Sequence, residues 1–461
     1  MKKSLLLSAA IIFSGIISAQ WTAQSTGFAA ASRGVESIRI VDANTVWALG
    51  YDGGSTTPAI VQEFTKTTDG GATWTTGSIA LPDPLYSVNE ICPINATTAY
   101  IGAVYDPSGA GPWPGGVWKT TDSGTTWVQE PIAGFSDPAS FIDAMHFFNA
   151  STGIAFGDPI TATDFEIYRT IDGGANWTAV PAASLPNIAS GEAGYNGGNR
   201  AVGDSFWGVT NKGKIYRTKD MGATWSKYTG PVTDFGGTTV GGTLYFSDVL
   251  ASTAGTNYGV CIARAGAVAT ATYKLHKTTN GGLTWDAGVT YTEPYRSLAF
   301  IPGSTILVGV GVTGTGATAV QSSAYSTDFG LTWTQIDTGT QRTEVSFLNG
   351  TTGWAGGFTS ATGGGIFKYT GPALGTIVFN TTKNQIVASP NPTNGMVKLI
   401  ASVSAITDVA VFDLLGKQVL AVKYNSLNEV NVDMSSLQTG AYLLKATNTA
   451  GSIDTIKIVK N

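Results

Sequence analysis

Carboxyl, guanidinium and aromatic side chains recur at matched places along the 461-residue chain, and they are the groups from which a polar binding cleft or an acid–base pair is built. Glu36, Glu90, Asp143, Glu192 and Glu344 stand at or near the start of apolar, strand-like segments, and Asp52, Asp106 and Asp158 each follow a second such segment. Arg39, Arg200, Arg296 and Arg342 lie near them, and Tyr51, Tyr105 and Trp113 are suited to stack on a sugar or peptide. Such groups bind by charge and hydrogen bonds. They hydrolyse a glycoside only if two carboxyls stand at a set separation with one held protonated. Spacing in sequence does not supply that separation, and the same residue types also suit solvated turns. Other reactions lack their signatures: there is no Gly-x-Ser-x-Gly elbow and no His-Glu-x-x-His, and His146 and His276 are the only histidines. No metal site and no cofactor is expected.

The elements that must position these groups form a repeat. Thr67-Thr68-Asp69-Gly70-Gly71-Ala72-Thr73-Trp74 returns at 120–127, 170–177, 218–225, 278–285 and 326–333, so the tryptophans stand 53, 50, 48, 60 and 48 residues apart. A period of about 50 residues suits one four-stranded propeller blade. Asp accepts hydrogen bonds from amides ahead of it and glycine adopts positive φ, so each motif reads as a corner between antiparallel strands, tied from the other side by the Thr or Ser hydroxyl. The tryptophan then opens the next strand and fills space between blades. Asp69, Asp122, Asp172, Asp220, Asn280 and Asp328, with Trp74, Trp127, Trp177, Trp225, Trp285 and Trp333, are therefore expected to be structural. Short strands precede the motifs, as at 116–119, 166–169, 214–217 and 273–276. A further one at 365–369 lacks a motif after it, whereas Gln20-Trp21-Thr22-Ala23 looks like a strand that has lost its blade. Pairing the two completes a seventh blade and removes two open edges.

The expected fold is all-β: a seven-bladed propeller over 20–370 closed by its amino-terminal strand, a linker over 371–384, and a small β-sandwich over 385–461. Propeller ligands gather at the channel mouth, where loops entering the innermost strands meet loops joining the second and third. The candidate ligand-binding set mapped there is Glu36, Glu90, Asp143, Asp158, Glu192, Arg296, Arg342, Glu344, Tyr105 and Trp113.

The motif resembles the Asp-box, or BNR repeat, of sialidases and related propellers, over most of the first 370 residues. Within that group, Gly153-Ile154-Ala155-Phe156-Gly157-Asp158-Pro159 and Gly191-Glu192-Ala193-Gly194-Tyr195 are most similar to Ycf48-like propellers and exported relatives. Ycf48-like proteins bind a partner protein during photosystem assembly, and the resemblance implies a binding scaffold. Sialidases use three arginines and an Arg-Ile-Pro motif, whereas the nearest segment here is Arg39-Ile40-Val41. A glycoside hydrolase of sialidase-like or other Asp-box type is the alternative reading.

Composition narrows the class. A formal charge of −5, with 12% charged residues, is unsuited to a phosphate backbone, and 43% hydrophobic residues exclude disorder. Met1-Lys2-Lys3, the apolar run from Leu5 to Ile17, and Ser18-Ala19 read as a secretory signal peptide over 1–19. Its removal takes the charge from −5 to −7. No other stretch approaches the roughly 20 apolar residues of a spanning helix. Cys92 and Cys261, in strands of distant repeats, read as buried thiols.

The last segment carries Pro390-Asn391-Pro392, then Phe412-Asp413 with Gly416-Lys417, Gly440-Ala441-Tyr442-Leu443-Leu444, and Ile456-Lys457-Ile458-Val459-Lys460. Its period-two alternation between turns argues a sandwich of about 75 residues. That order resembles the type A sorting domain of the Bacteroidetes type IX secretion system; an ordinary carbohydrate-binding or adhesin sandwich is the alternative. The resemblance implies carriage across the outer membrane by the type IX machinery, then removal or surface attachment, with Gly440, Tyr442, Lys457 and Lys460 in the sorting signal. The combined reading is an exported, monomeric, non-catalytic propeller that binds an extracellular protein or glycan at its mouth, with no nucleic-acid partner.

Overall fold

A computed structural model describes residues 20–54, 59–105, 115–132, 134–135, 137, 140–251, 256–267, 270–313, 320–360, 363–374, 386–401, 405–413, 417–449 and 453–461. The expected signal segment 1–19, Asp106, Trp113 and most of the expected linker lie outside the described residues. The chain divides into two compact units near residue 377.

In the first unit, seven four-stranded antiparallel groups follow one another among the described residues. Six are meanders with their strands in sequence order, as in Tyr86–Pro93, Ala99–Tyr105, Gly116–Thr120 and Val128–Gln129. The groups are numbered here as blades: one (33–78), two (86–129), three (142–179), four (200–229), five (240–290), six (295–338) and seven (344–369). Blade seven takes its outermost strand from the other end of the chain: Trp21–Ser25 runs antiparallel to Gly363–Tyr369, with Trp21 opposite Tyr369. A single pairing of Gly34 with Phe358 links blades one and seven into one eight-stranded sheet.

The second strand of each blade shows why these sequences stack. Val46 to Gly50, Ala99 to Val104, Gly153 to Gly157 and Ser205 to Val209 are buried at every position, so they read as continuous apolar or small runs and do not alternate. A neighbouring sheet covers each face. Glycine is required where two sheets approach closely: a Cβ on Gly356 of blade seven would lie 2.7 Å from Val35 of blade one. Seven apolar clusters occupy the interfaces. One joins Trp47 and Leu49 of blade one to Ile91 and Ile101 of blade two, and another joins Trp354 and Ile366 of blade seven back to Val35 and Ile38 of blade one. That last cluster closes the circuit, and the first unit is a β-propeller. Cys92 and Cys261 are buried free thiols within it, and burial pushes the Cys92 thiol up to about 12.

The boxes are the corners between third and fourth strands. In the first, the Thr67 hydroxyl donates to Asp69 at 2.7 Å, the Thr73 amide and hydroxyl donate to the same carboxylate at 2.9 and 2.6 Å, and the Gly71 amide donates to the Thr67 oxygen at 2.8 Å. The pattern recurs around Asp122, Asp220 and Asp328, while Asn280 keeps it with its amide donating to Thr284. Asp172 keeps it with Asn176 as donor. These hydrogen bonds, the Thr73 hydroxyl first, hold the Asp69 carboxyl down at about 2. Both residues after the acid have positive φ. The first is Gly, Ser, Met or Phe, yet the second is glycine in all six, because a Cβ at Gly124 or Gly222 would strike Phe64 or Ile154 of the preceding blade at 2.2 or 2.3 Å. Trp127, Trp177 and Trp225 are buried; Trp74, Trp285 and Trp333 are half-buried.

The second unit is a β-sandwich. Ile386–Ser389, Met396–Ala401 and Glu429–Asp433 form one sheet; Gln418–Leu427, Ile406–Phe412, Gly440–Asn448 and Ile453–Lys460 form the other. Alternate residues such as Val397, Leu399, Val409, Val411, Val430, Val432, Leu444 and Ile458 make its core.

Candidate functional site

The innermost strands carry an irregularity at one fixed place. Strand register slips between Val35 and Ser37, Val88 and Glu90, Ile142 and Ala144, and Tyr295 and Ser297, leaving Glu36, Asn89, Asp143 and Arg296 as the extra residues of blades one, two, three and six. A bulge re-aims its side chain, so an otherwise apolar strand presents a polar group at this level. The same level supplies contacts between blades. The Asn89 amide donates to the Ile142 carbonyl at 2.9 Å, Asn199 to the Asp143 carbonyl at 3.3 Å, and the Tyr245 hydroxyl to the Arg296 carbonyl at 2.7 Å. Ser297 donates to Glu344 at 2.9 Å and Thr343 to the Val35 carbonyl at 3.2 Å. Arg39 bonds Glu90 at 2.7 Å, and the Arg200 guanidinium lies 4.9 Å from the Tyr245 ring. Every blade junction is thereby bridged.

Charge at the centre is unbalanced. Glu36, Glu90 and Glu344 interact with one another and with two guanidiniums, Arg39 and Arg200. Burial, reinforced by Glu90, raises Glu36 to about 7, with Arg39 opposing and Glu344 adding to the rise. Burial also raises Glu344, against the pull of Arg200 and Arg39. Burial would lower Arg39, but Glu90 and Glu344 outweigh it and the net shift is upward. Burial, with Arg39 nearby, holds His146 down at about 3, so the imidazole is neutral. Solvent reaches Glu36, yet protein surrounds it on most sides, and it makes no hydrogen bond or ion pair to a described residue.

Glu36 opens into a cleft of about 370 Å³ between blades one and two. Its walls are Tyr51, Asp52, Ile60, Val88 and Asn89, with Asn196 reaching in from the segment before blade four. Asp52 accepts the amides of Ala59 and Gly54, both at 3.0 Å, and these bonds lower its pKa. The corresponding place between blades five and six is a smaller cleft of about 170 Å³ with Arg264, Tyr273 and Arg296 in its wall. The Arg296 guanidinium there lies 3.8 Å from the Tyr273 ring.

The other mapped residues divide. Glu90 and Glu344 belong to the central group described above. Asp143 is buried against Asp158, and burial with that second carboxyl raises it well above the ordinary range; Asp158 in turn accepts the Gly194 amide at 2.6 Å. Tyr105 packs edge-on against Tyr86, centroids 5.1 Å apart. Glu192 and Arg342 are internal ties. Glu192, its side chain fully buried, accepts from the Ala189 amide and the Thr210 hydroxyl at 2.8 and 3.0 Å. Arg342 forks onto Asp337 at 2.9 and 2.7 Å and lies over Trp21 and Phe367. In the sandwich, Gly440 and Lys460 face each other across two strands, Leu443 faces Lys457, and Tyr442 is core.

Sequence reading missed two sets. One is Asn89 and Asn199; the signal for Asn89 is a polar residue interrupting an apolar innermost strand, and Asn199 stands just before the strand Arg200–Val202 with no such signal. The other is the cation that precedes five of the six boxes, Tyr325 standing before the sixth, and that recurs as Lys368 in the third strand of blade seven, which has no box. Lys66 donates to the Ala96 carbonyl at 2.8 Å, Lys119 to Gly173 at 2.8 Å, Arg169 to Met221 at 2.8 Å, Arg217 to Gly281 at 3.3 Å and Lys368 to Gly70 at 2.6 Å, each on the next blade. Four of them lie over an aromatic ring of their own blade: Lys66 on Trp47, Lys119 on Tyr100, Arg217 on Trp207 and Lys368 on Trp354. For Lys66, Lys119, Arg169 and Arg217, recurrence immediately before the Thr-x-Asp run was the available signal.

Residues 388–461 match the family described as Secretion system C-terminal sorting domain. The chain is accordingly an exported propeller protein, secreted or held at the cell surface, and handled by the type IX secretion machinery. No helix among the described residues is long and apolar enough to cross a membrane. No curated protein matches the chain. Among solved structures it is similar to YCF48 bound to D1 peptide, at 16% identity over 77% of this chain and 97% of that one, with a TM-score of 0.47. YCF48 from Cyanidioschyzon merolae is 14% identical over 76% and 99%, with a TM-score of 0.48. The Hadza microbial sialidase Hz136 is 15% identical over 74% and 66%, with a TM-score of 0.41.

Proposed function

We propose that the first unit is a seven-bladed, non-catalytic binding propeller, that it takes an extracellular protein or glycan at its channel mouth, and that the sandwich is its export module. The observation that carries this reading is the cleft of about 370 Å³ beside Glu36, where polar groups and one aromatic ring converge at the end of the blades away from the boxes. Glu36, Tyr51, Asp52 and Asn89 are its proposed contact residues, with Glu90, Glu344 and Arg296 deeper in or across the mouth.

One observation favours a second reading, a glycoside hydrolase. Glu36 is raised to about 7 while Asp52 is lowered, and two carboxyls pushed apart in this way are what an acid and its ionised partner require. Against it, both Asp52 oxygens already accept backbone amides, which leaves that carboxylate poorly placed to act as nucleophile or base. The test is to pass the full chain over glycan and peptide arrays and to assay it with fluorogenic glycosides. Binding without turnover, weakened by Glu36→Gln and Asn89→Ala, is the expected result. Turnover abolished by Glu36→Gln would establish the hydrolase instead.

A further inference from the structure

Deepening the mouth-binding reading, on which it rests, we propose that the cleft between blades one and two binds the side chain of a lysine or arginine on a partner polypeptide, with Glu36 and Asp52 as counter-ions. Three features of the cleft support this. Glu36 in its lining is a carboxyl without a described partner, and the central group sets three carboxyls against two guanidiniums, so one further cation completes the balance. Asp52 in its lining is a second carboxylate that the Ala59 and Gly54 amides keep ionised. Ile60, Val61 and Val88, with the Tyr51 ring, give the same lining an apolar part.

An aliphatic stem ending in a cation suits a lining that combines carboxyls with apolar side chains. An amino sugar matches it less well, because its ammonium sits on a short ring whose hydroxyls would lose water against Ile60 and Val88. The equivalent cleft between blades five and six bears Arg264 and Arg296, so the two clefts carry opposite charge and the mouth has a preferred direction for a charged chain. The groups acting on Glu36 are Arg39 on its own strand, Tyr51 on the next, Glu90 on blade two and Glu344 on blade seven, while Asp52 lines the same cleft under the influence of Arg33. A ligand cation joins Arg39 in favouring the carboxylate, and binding therefore releases the Glu36 proton.

The experiment is calorimetric titration of the full chain with acetyl-Gly-Gly-Lys-Gly-Gly-amide, its arginine and norleucine counterparts, and a glucosamine trimer. The cationic peptides are expected to bind at least about tenfold more tightly than the norleucine peptide, with an affinity rising about tenfold from roughly pH 6 to pH 8 as Glu36 ionises. Glu36→Gln should remove both the preference and the pH dependence while leaving the circular dichroism spectrum unchanged. Asp52→Asn should weaken binding equally at both pH values. Equal binding of the lysine and norleucine peptides, no peptide binding at all, or an unchanged pH profile in Glu36→Gln would overturn the proposal. Glu36-dependent binding of the glucosamine trimer alone would overturn the choice of a polypeptide. A glycan or neutral peptide captured on the arrays and lost in Asn89→Ala, but kept in Glu36→Gln, would overturn the cation site while leaving the mouth-binding reading in place.

Discussion

The two ends of each blade have diverged to different degrees. At the box end, six repeats make nearly the same bonds, and five third-strand cations, four of them directly before a box, reach a carbonyl of the next blade. At the mouth end, the equivalent bulges carry Glu36, Asn89, Asp143 and Arg296, no two alike. Closing a ring is one physical problem posed at every junction, and one local solution serves each time. Recognising a ligand requires the groups around a single opening to differ. The contrast makes a claim about mutations: losses at the box end should appear in stability and spare binding, and losses at the mouth should do the reverse.

The hardest test of the box-side half is the closing strand, which fills the tryptophan place of blade seven. Trp21 is 4% exposed, lies edge-on to Phe347 and Tyr369, and donates to Ser323 at 3.0 Å. Trp21→Ala should cost about 3–5 kcal/mol in urea denaturation, the range for emptying a buried aromatic site. Peptide affinity below the transition should stay unchanged. A loss of affinity with an intact midpoint would break the comparison at its strongest point. Next in size is Thr67→Val, which keeps the shape but removes the acceptor of the buried Gly71 amide and a donor to Asp69. About 1–3 kcal/mol is expected, because an amide is left unsatisfied.

The mouth half predicts the opposite sign. The pKa of Glu36 is higher in the folded chain than its ordinary value, so its contribution to stability is complete below about 4.5 and is lost as pH rises through about 7. Glu36→Gln should therefore stabilise the protein above neutrality and not in acid. The gain, discounted because solvent reaches the side chain, is about 1 kcal/mol or less. Denaturation curves for both proteins at roughly pH 5 and pH 8 check it; a destabilised Glu36→Gln would make this carboxyl a structural tie like Glu192.

The same contrast explains what was legible in the sequence. The box is a local device: Thr67, Asp69, Gly71 and Thr73 lie within one turn and bond one another, so spacing alone exposes both the motif and its role. Strand Trp21–Ser25 could be placed because an unmatched start and an unmatched end complement each other. Residues at the mouth act across blades, and their neighbours in space are about 50 or 300 positions away. Glu36 and Arg342 look alike on a sequence map, each a charge beside an innermost strand. One faces a cleft and the other is locked onto Asp337, which only the packing decides. Bulges are equally silent, since one extra residue in a strand leaves no compositional mark until the register is known.

The smallest expected effect sharpens the box side by asking what the acid itself adds. Box five has Asn280 where the others have Asp, and its amide donates to Thr284 at 2.8 Å while its oxygen still accepts the Thr284 amide at 2.9 Å. The corner therefore survives without a charge. Asp69 and Asp122 are held at about 2, below their ordinary value, so the stability they contribute is present above about pH 4 and is lost as pH falls through 2. Converting Asp69 to Asn should leave the neutral-pH melting temperature nearly unchanged and shift the acid limb slightly towards lower pH. The same change at Asp69 and Asp122 together should shift it further, because the two carboxylates share no hydrogen-bond partner and their effects add. A large loss at neutral pH would mean that charge, and not the hydrogen-bond pattern shared with Asn280, holds the corner. In that case the uniform end of the blade would be less uniform than its bonds suggest.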